Sequence, residues 1–80
     1  MEEKISAFIS ITTEHMQPEE IQTLILKTIN PSEVYFVTGD YDYIMRVLVD
    51  NMESLREMVS KLREFKWIKK TNTSIILKQL

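Results

Sequence analysis

The sequence predicts an α+β fold, a four-stranded antiparallel sheet with two helices on one of its faces. Three observations predict it. Four stretches carry the two-residue alternation or β-branched composition of strands, two carry the three-and-four spacing of helices, and their order is strand, helix, strand, given twice. The only glycine, Gly39, stands between the second and third strands in Val37-Thr38-Gly39-Asp40-Tyr41-Asp42-Tyr43. Glycine takes a positive φ at no steric cost and aspartate tolerates tight turns, so this stretch reads as a hairpin connection between residues 33–38 and 42–50.

Residues 4–13 alternate, with Ile5, Ala7, Ile9 and Ile11 pointing one way and Ser6, Phe8, Ser10 and Thr12 the other, as in a strand with one buried face. A helix then starts at Pro18, which suits a first helical position, and Glu19 and Glu20 complement the positive end of its dipole. Its stripe is Ile21, Leu24, Ile25, Thr28 and Ile29. Asn30-Pro31 stops it, because the residue before a proline leaves the helical region and proline donates no next bond. Residues 34–38 form the second strand, rich in β-branched and aromatic side chains.

The third strand places Tyr43, Met45, Val47 and Val49 on one face and Asp42, Ile44, Arg46, Leu48 and Asp50 on the other. Asp50 followed by Glu53 has the form of a capping box, so the spacing predicts a second helix from there to about Phe65, with Leu55, Met58, Val59 and Leu62 as its stripe. Residues 67–77 are the last strand, entered through Lys66, Lys69 and Lys70 and carrying Thr71-Asn72-Thr73. Two strand-helix-strand units joined by a hairpin, with right-handed crossovers, give the ferredoxin-like split βαβ plait (βαββαβ). Its bare sheet face is expected to show Phe8, Ile44 and Leu48, with Ser6, Ser10 and Arg46 between them. Exposed large side chains on neighbouring central strands favour a homodimer through that face.

Composition narrows the functional classes. Eighty residues make one domain that buries roughly 60% of its unfolded surface, a thin core. Apolar residues at 44% and charged residues at 28% are globular values, and the longest apolar runs fall far short of a membrane span. Without cysteine and with one histidine, His15, there is no disulfide framework, thiol redox site or histidine-rich metal site. Met1-Glu2-Glu3-Lys4 opens no secretory signal, which fits a cytoplasmic location. The net charge of −2 and the lack of a recognition helix predict no direct binding to nucleic acid. Charge is nonetheless uneven: residues 1–40 carry two lysines against seven acids, and residues 41–80 eight basic residues against five acids.

Val37-Thr38-Gly39-Asp40-Tyr41-Asp42-Tyr43-Ile44-Met45-Arg46-Val47, with Asp50 and Thr71-Asn72-Thr73-Ser74-Ile75-Ile76-Leu77, resembles the C-terminal effector domain of the leucine-responsive and asparagine-responsive (Lrp/AsnC) transcriptional regulators. This is the RAM domain, for regulation of amino-acid metabolism, and the resemblance runs from Ile5 to about Leu77. It implies the same plait, sheet-paired dimers, octameric rings of dimers and free amino acids bound between dimers. It also implies co-assembly with full-length regulators. The family usually carries a helix-turn-helix domain ahead of this one, so residues 1–80 read as a stand-alone RAM domain. Phe65-Lys66-Trp67-Ile68 stands where the family commonly has a glycine.

An amino acid offers an ammonium and a carboxylate, so its site needs acidic acceptors on one side and amides or hydroxyls on the other. Gly39 allows close approach to the backbone, Asp40 or Asp42 can hold the ammonium, Tyr41 lies between them, and Thr71 and Thr73 supply hydroxyls. For Asp40 and Tyr41 an exposed turn is the competing reading. For Asp42 the residues alone leave ligand binding and capping of the hairpin open, and the resemblance points to the ligand. The expected dimer contacts are Phe8, Ile44, Arg46 and Leu48. No nucleophile elbow, phosphate loop or metal-ligand pair occurs, so neither a catalytic residue nor a cofactor is assigned. Two other functions share the plait: a small dimeric enzyme using His15 or an aspartate as base, and an ACT-like regulatory subunit, whose glycine-rich first loop has no counterpart at residues 12–17.

Overall fold

Burying one face of a twisted sheet under two amphipathic helices accounts for the architecture. The structure, a computed structural model, describes residues 4–80, so that Met1-Glu2-Glu3 lies outside them. Its elements are β1 (Ile5–Thr13), α1 (Pro18–Thr28), β2 (Glu33–Phe36), β3 (Tyr43–Val49), α2 (Met52–Arg63) and β4 (Ile68–Ile75). The sheet order is β2-β3-β1-β4 with every neighbouring pair antiparallel, the plait that the sequence predicts. No described helix is long and apolar enough to cross a membrane.

The alternation of β1 becomes a division of labour. Ala7, Ile9 and Ile11 are buried, as are Tyr43, Met45, Val47 and Val49 on the neighbouring β3, and Ile21, Ile25, Leu55 and Leu62 of the helices join them in one core. Fully burying an isoleucine or leucine stabilises the fold by about 1.5–3 kcal/mol, so this layer supplies most of what holds a small domain together. No polar or charged residue is buried among those described.

The ends of the elements show where local signals decide and where they do not. Helix α1 has Pro18 at its first position, as expected, and Gln17 ahead of it makes no side-chain cap. The expectation that Asp50 caps α2 is wrong by one position. Asn51 is the N-cap, and its Oδ1 accepts a 2.8 Å hydrogen bond from the Ser54 N–H, while Asp50 stays exposed with one carboxylate oxygen 3.8 Å from Lys4 Nζ. The strands are also shorter than the pattern predicts: β2 stops at Phe36, β3 starts at Tyr43 and β4 spans Ile68 to Ile75. The connection is therefore a six-residue loop, residues 37–42, closed by the Val37 N–H donating to the Asp42 carbonyl at 2.8 Å.

The turn into β4 forms without glycine. Phe65 and Trp67 lie with ring centres 5.3 Å apart, and the Trp67 carbonyl accepts the Glu14 N–H at 2.8 Å. All described residues other than Gly39 have ordinary φ.

An N-cap side chain satisfies a helix donor that has no partner within the helix, whereas an exposed ion pair contributes little. Asn51→Ala is accordingly expected to lower stability by about 1 kcal/mol, and Asp50→Ala by less than about 0.5 kcal/mol. Urea denaturation of both variants checks the ranking.

Candidate functional site

The loop between β2 and β3 is held against the rest of the sheet by hydrogen bonds from residues far away in the chain. Asp42 makes two of them. Its N–H donates to the Ile11 carbonyl at 2.9 Å, and its Oδ2 accepts the Thr13 N–H at 2.9 Å. Thr12 Oγ1 adds a third, donating to the Asp40 carbonyl at 3.2 Å. Asp42 thus ties the loop to the end of β1 and does not cap its own hairpin by a side-chain bond. One carboxylate oxygen is committed to that tie, and the charge stays available to a cation.

Gly39 has φ +114°, the left-handed region that favours glycine. A β-carbon built there meets no atom within 4 Å, so a larger residue would strain the backbone rather than clash with a neighbour inside the chain. That open space leaves the Gly39 backbone approachable from solvent. Asp40 is exposed, and Tyr41 and Asp42 are half-buried. Lys70 Nζ sits 5.3 Å from the centre of the Tyr41 ring, a cation–π contact that joins the loop to the start of β4.

Thr71 and Thr73 part company. Thr71 pairs with Ile11, the residue whose carbonyl receives the Asp42 N–H, on the other side of β1 from the loop. Thr73 pairs with Ile9, two positions further along, and lines a different groove with Met52, Leu55, Arg56, Val59, Ser60, Arg63 and Ile75. Asp42 and Thr71 therefore flank Ile11 from opposite sides of β1 at the same end of the sheet, with Thr73 one pair further from that end. Lys70, which local pattern assigns only to a basic run, belongs at this end as well.

On the other side of the loop, Thr13, His15, Met16, Pro18, Phe36, Asp42 and Tyr43 share an open crevice of about 290 Å³, at the small end for a ligand pocket. Phe36 stacks on Tyr43 at 5.0 Å. Burial raises the Tyr43 hydroxyl above its ordinary pKa, and the charges of Asp42 and Glu19 add to the shift. His15 is exposed. Among the described residues, no group of three His, Asp or Glu side chains is placed to hold a metal ion.

The bare sheet face carries the expected side chains in direct register, Phe8 opposite Arg46, Ser10 opposite Ile44 and Ser6 opposite Leu48. Phe8 is 36% exposed and Leu48 55%, and the Arg46 guanidinium lies 5.9 Å from the centre of the Phe8 ring. Sequence reading missed the contribution of β2. Glu33 faces Arg46 in register at 3.6 Å and accepts a hydrogen bond from the Tyr35 hydroxyl, an alternation that the shortness of β2 conceals.

The family model for the Lrp/AsnC ligand binding domain matches residues 6–80. This chain belongs to that family. The HTH-type transcriptional regulator FL11 of Pyrococcus furiosus is 31% identical to it over 74 residues, 92% of this chain and 49% of FL11. Homocitrate synthase of Saccharolobus islandicus is 30% identical over 79 residues, 98% of this chain but 17% of that enzyme. The chain spans about half the length of the curated regulators it matches. Among solved structures, FFRP-DM1 superposes with a TM-score of 0.81 at 30% identity, over 91% of this chain and 99% of that one. The feast or famine regulatory protein of M. tuberculosis complexed with L-methionine gives a TM-score of 0.77 at 25% identity, over 94% of this chain and 51% of that one.

In this Lrp/AsnC ligand-binding domain the raised pKa of the Tyr43 hydroxyl gives a pH signature. A folded-state pKa above the unfolded one means that the folded protein holds more protons once the unfolded tyrosine ionises, so stability falls as pH rises beyond about 10. Tyr43→Phe is expected to flatten that alkaline loss relative to the parent while the fold is kept. Denaturation curves at neutral pH and above pH 10 measure the difference, and equal alkaline losses in both proteins would contradict it.

Proposed function

We propose that this chain is an amino-acid-sensing and oligomerisation module, acting on transcription or amino-acid metabolism through the partners it assembles with. The observation that carries the reading is that the clamped loop with the glycine and carboxylates of residues 39–42 reaches the start of β4, through Tyr41 against Lys70, at an end of the sheet open to solvent. Gly39, Asp40, Tyr41, Asp42 and Thr71 supply ammonium acceptors and polar donors, and Thr73 extends the hydroxyl row along β4. The methionine complex of the M. tuberculosis relative supports an amino acid as the ligand class. The crevice beside the loop is open to solvent, a shape that a second subunit could close.

The homodimer forms through the bare sheet face, with Phe8, Ile44, Arg46 and Leu48 at its centre. Burying a lone charge there would be costly, but Arg46 already has Glu33 as its partner and lies over Phe8. Dimers then assemble into larger rings, up to an octamer, and co-assemble with full-length regulators of the same family. The stretches matched in a regulator and in a synthase support partners of either kind. The chain works in the cytoplasm and does not itself bind nucleic acid.

Two measurements test this reading. A thermal-shift screen of the twenty amino acids, followed by calorimetry, is expected to give a ligand whose affinity falls about ten- to a hundredfold in Asp42→Asn, the equivalent of a lost charge-assisted hydrogen bond of ~1.5–3 kcal/mol. Asparagine keeps an acceptor for the Thr13 N–H and removes only the charge. Unchanged affinity in that variant would place the ammonium elsewhere. Leu48→Asp is expected to give a monomer by light scattering, because an unpaired carboxylate in a dry interface costs several kcal/mol. A folded Leu48→Asp dimer would contradict the sheet-face interface.

A further inference from the structure

The edge strand β4 is left uncovered on the side that faces the helices. Thr73 and Ile75 are exposed, although their partners in register, Ile9 and Ala7, are completely buried. Beside them α2 lines an open groove of about 460 Å³ with Met52, Leu55 and Val59, and Ile75 forms its other wall. Met52 and Ile75 are each 40% exposed, so apolar surface is left in water that burial would stabilise.

The rim of this groove carries one sign of charge. Arg56 and Arg63 line it, both exposed and about 10 Å apart along one side of α2. No acid lines it: Glu53, Glu57 and Glu64 of the same helix lie outside the groove, and among the described residues neither arginine takes part in an ion pair. A fitting partner is therefore apolar with acidic flanks.

The chain carries that complement itself. On the outer side of α1, Glu19, Glu20, Thr23 and Leu24 line a shallow hollow of about 400 Å³. Both glutamates are exposed, and among the described residues neither takes part in an ion pair. The one cation of α1, Lys27, stands in its last turn, about 10 Å along the axis from Glu20.

We propose that α1 of one copy docks in the α2–β4 groove of another, Leu24 on the apolar floor and Glu19 and Glu20 against Arg56 and Arg63, and that this contact joins sheet-face dimers to one another. The inference rests on the oligomerisation reading above and names the surface that carries assembly beyond the dimer. A dimer closed through the bare faces turns α1 and the groove of both copies outward, since both lie on the helix side of the sheet. Patch and groove are different parts of the chain, so the contact is head-to-tail and each copy gives one and receives one, as a ring requires. Exposed ion pairs contribute little singly, so the contact holds dimers, which engage it at several points, and is too weak to hold Leu48→Asp monomers.

Light scattering of the full chain at low salt tests the contact. The parent is expected to exceed the mass of a dimer and Arg56→Glu/Arg63→Glu to fall to a dimer. Adding Glu19→Lys/Glu20→Lys to that variant is expected to restore the parent mass, with circular dichroism confirming the fold. Because the sequence holds no cysteine, crosslinking gives a second readout that leaves these charges in place. A mildly oxidised mixture of Thr23→Cys and Ser60→Cys chains is expected to give more of the mixed disulfide than random pairing does. A parent that is only a dimer, a charge-reversed variant of unchanged mass, a fourfold variant that stays a dimer, or random disulfide pairing would overturn the contact and leave the sheet-face dimer standing. A charge-reversed variant that falls to a monomer would overturn the role of the contact between dimers. A parent that is itself monomeric would overturn this inference and the sheet-face dimer together.

Discussion

The double tie between Asp42 and the end of β1 is the constraint on which the candidate site depends. A six-residue loop carrying a glycine at φ +114° would otherwise move freely, because loops have few buried contacts of their own. With the Asp42 N–H on the Ile11 carbonyl and the Asp42 carboxylate on the Thr13 N–H, the loop is clamped across the central strand. Tyr41 is thereby carried to Lys70, on a strand that does not touch β2 or β3 in the sheet. The clamp therefore makes one surface out of two distant parts of the chain.

The same strand order couples that surface to the bare face. β1 lies between β3 and β4, so Phe8 opposes Arg46 on one side and Ser74 on the other, while Ile11 opposes Tyr43 and Thr71. Side chains at even positions of β1 point to the bare face, and those at odd positions enter the core. In the proposed assembly, a dimer formed on the even side leaves the loop end of the sheet free for a further contact. Ligand binding and subunit assembly then act on one rigid element, which gives an effector bound at the loop a route to the oligomer.

Much of the fold was legible because single-faced burial imposes a period. Ala7, Ile9 and Ile11 could be placed in the core from alternation alone, and Pro18 and Pro31 bracketed α1 through their own geometry. The cap of α2 was not legible in the same way. Asp50 and Asn51 are adjacent, both residue types cap helices, and only the backbone decides which one stands at the extended position before the first turn. The site was half legible: composition singled out Gly39, the aspartates and the threonines, but the partners of Asp42 lie about thirty residues away, beyond any local pattern. The separation of Thr71 from Thr73 and the recruitment of Lys70 likewise follow from sheet register, which spacing along one strand does not contain.

The central claim is that an amino acid binds where the clamped loop meets β4. A titration of isotope-labelled protein followed by amide chemical shifts tests it most directly. The account predicts that the amides of Gly39, Asp40, Tyr41, Asp42, Thr13, Lys70 and Thr71 move together and saturate with one affinity. Saturable shifts confined to Met52, Leu55, Val59 and Ile75, with the loop amides unmoved, would contradict it.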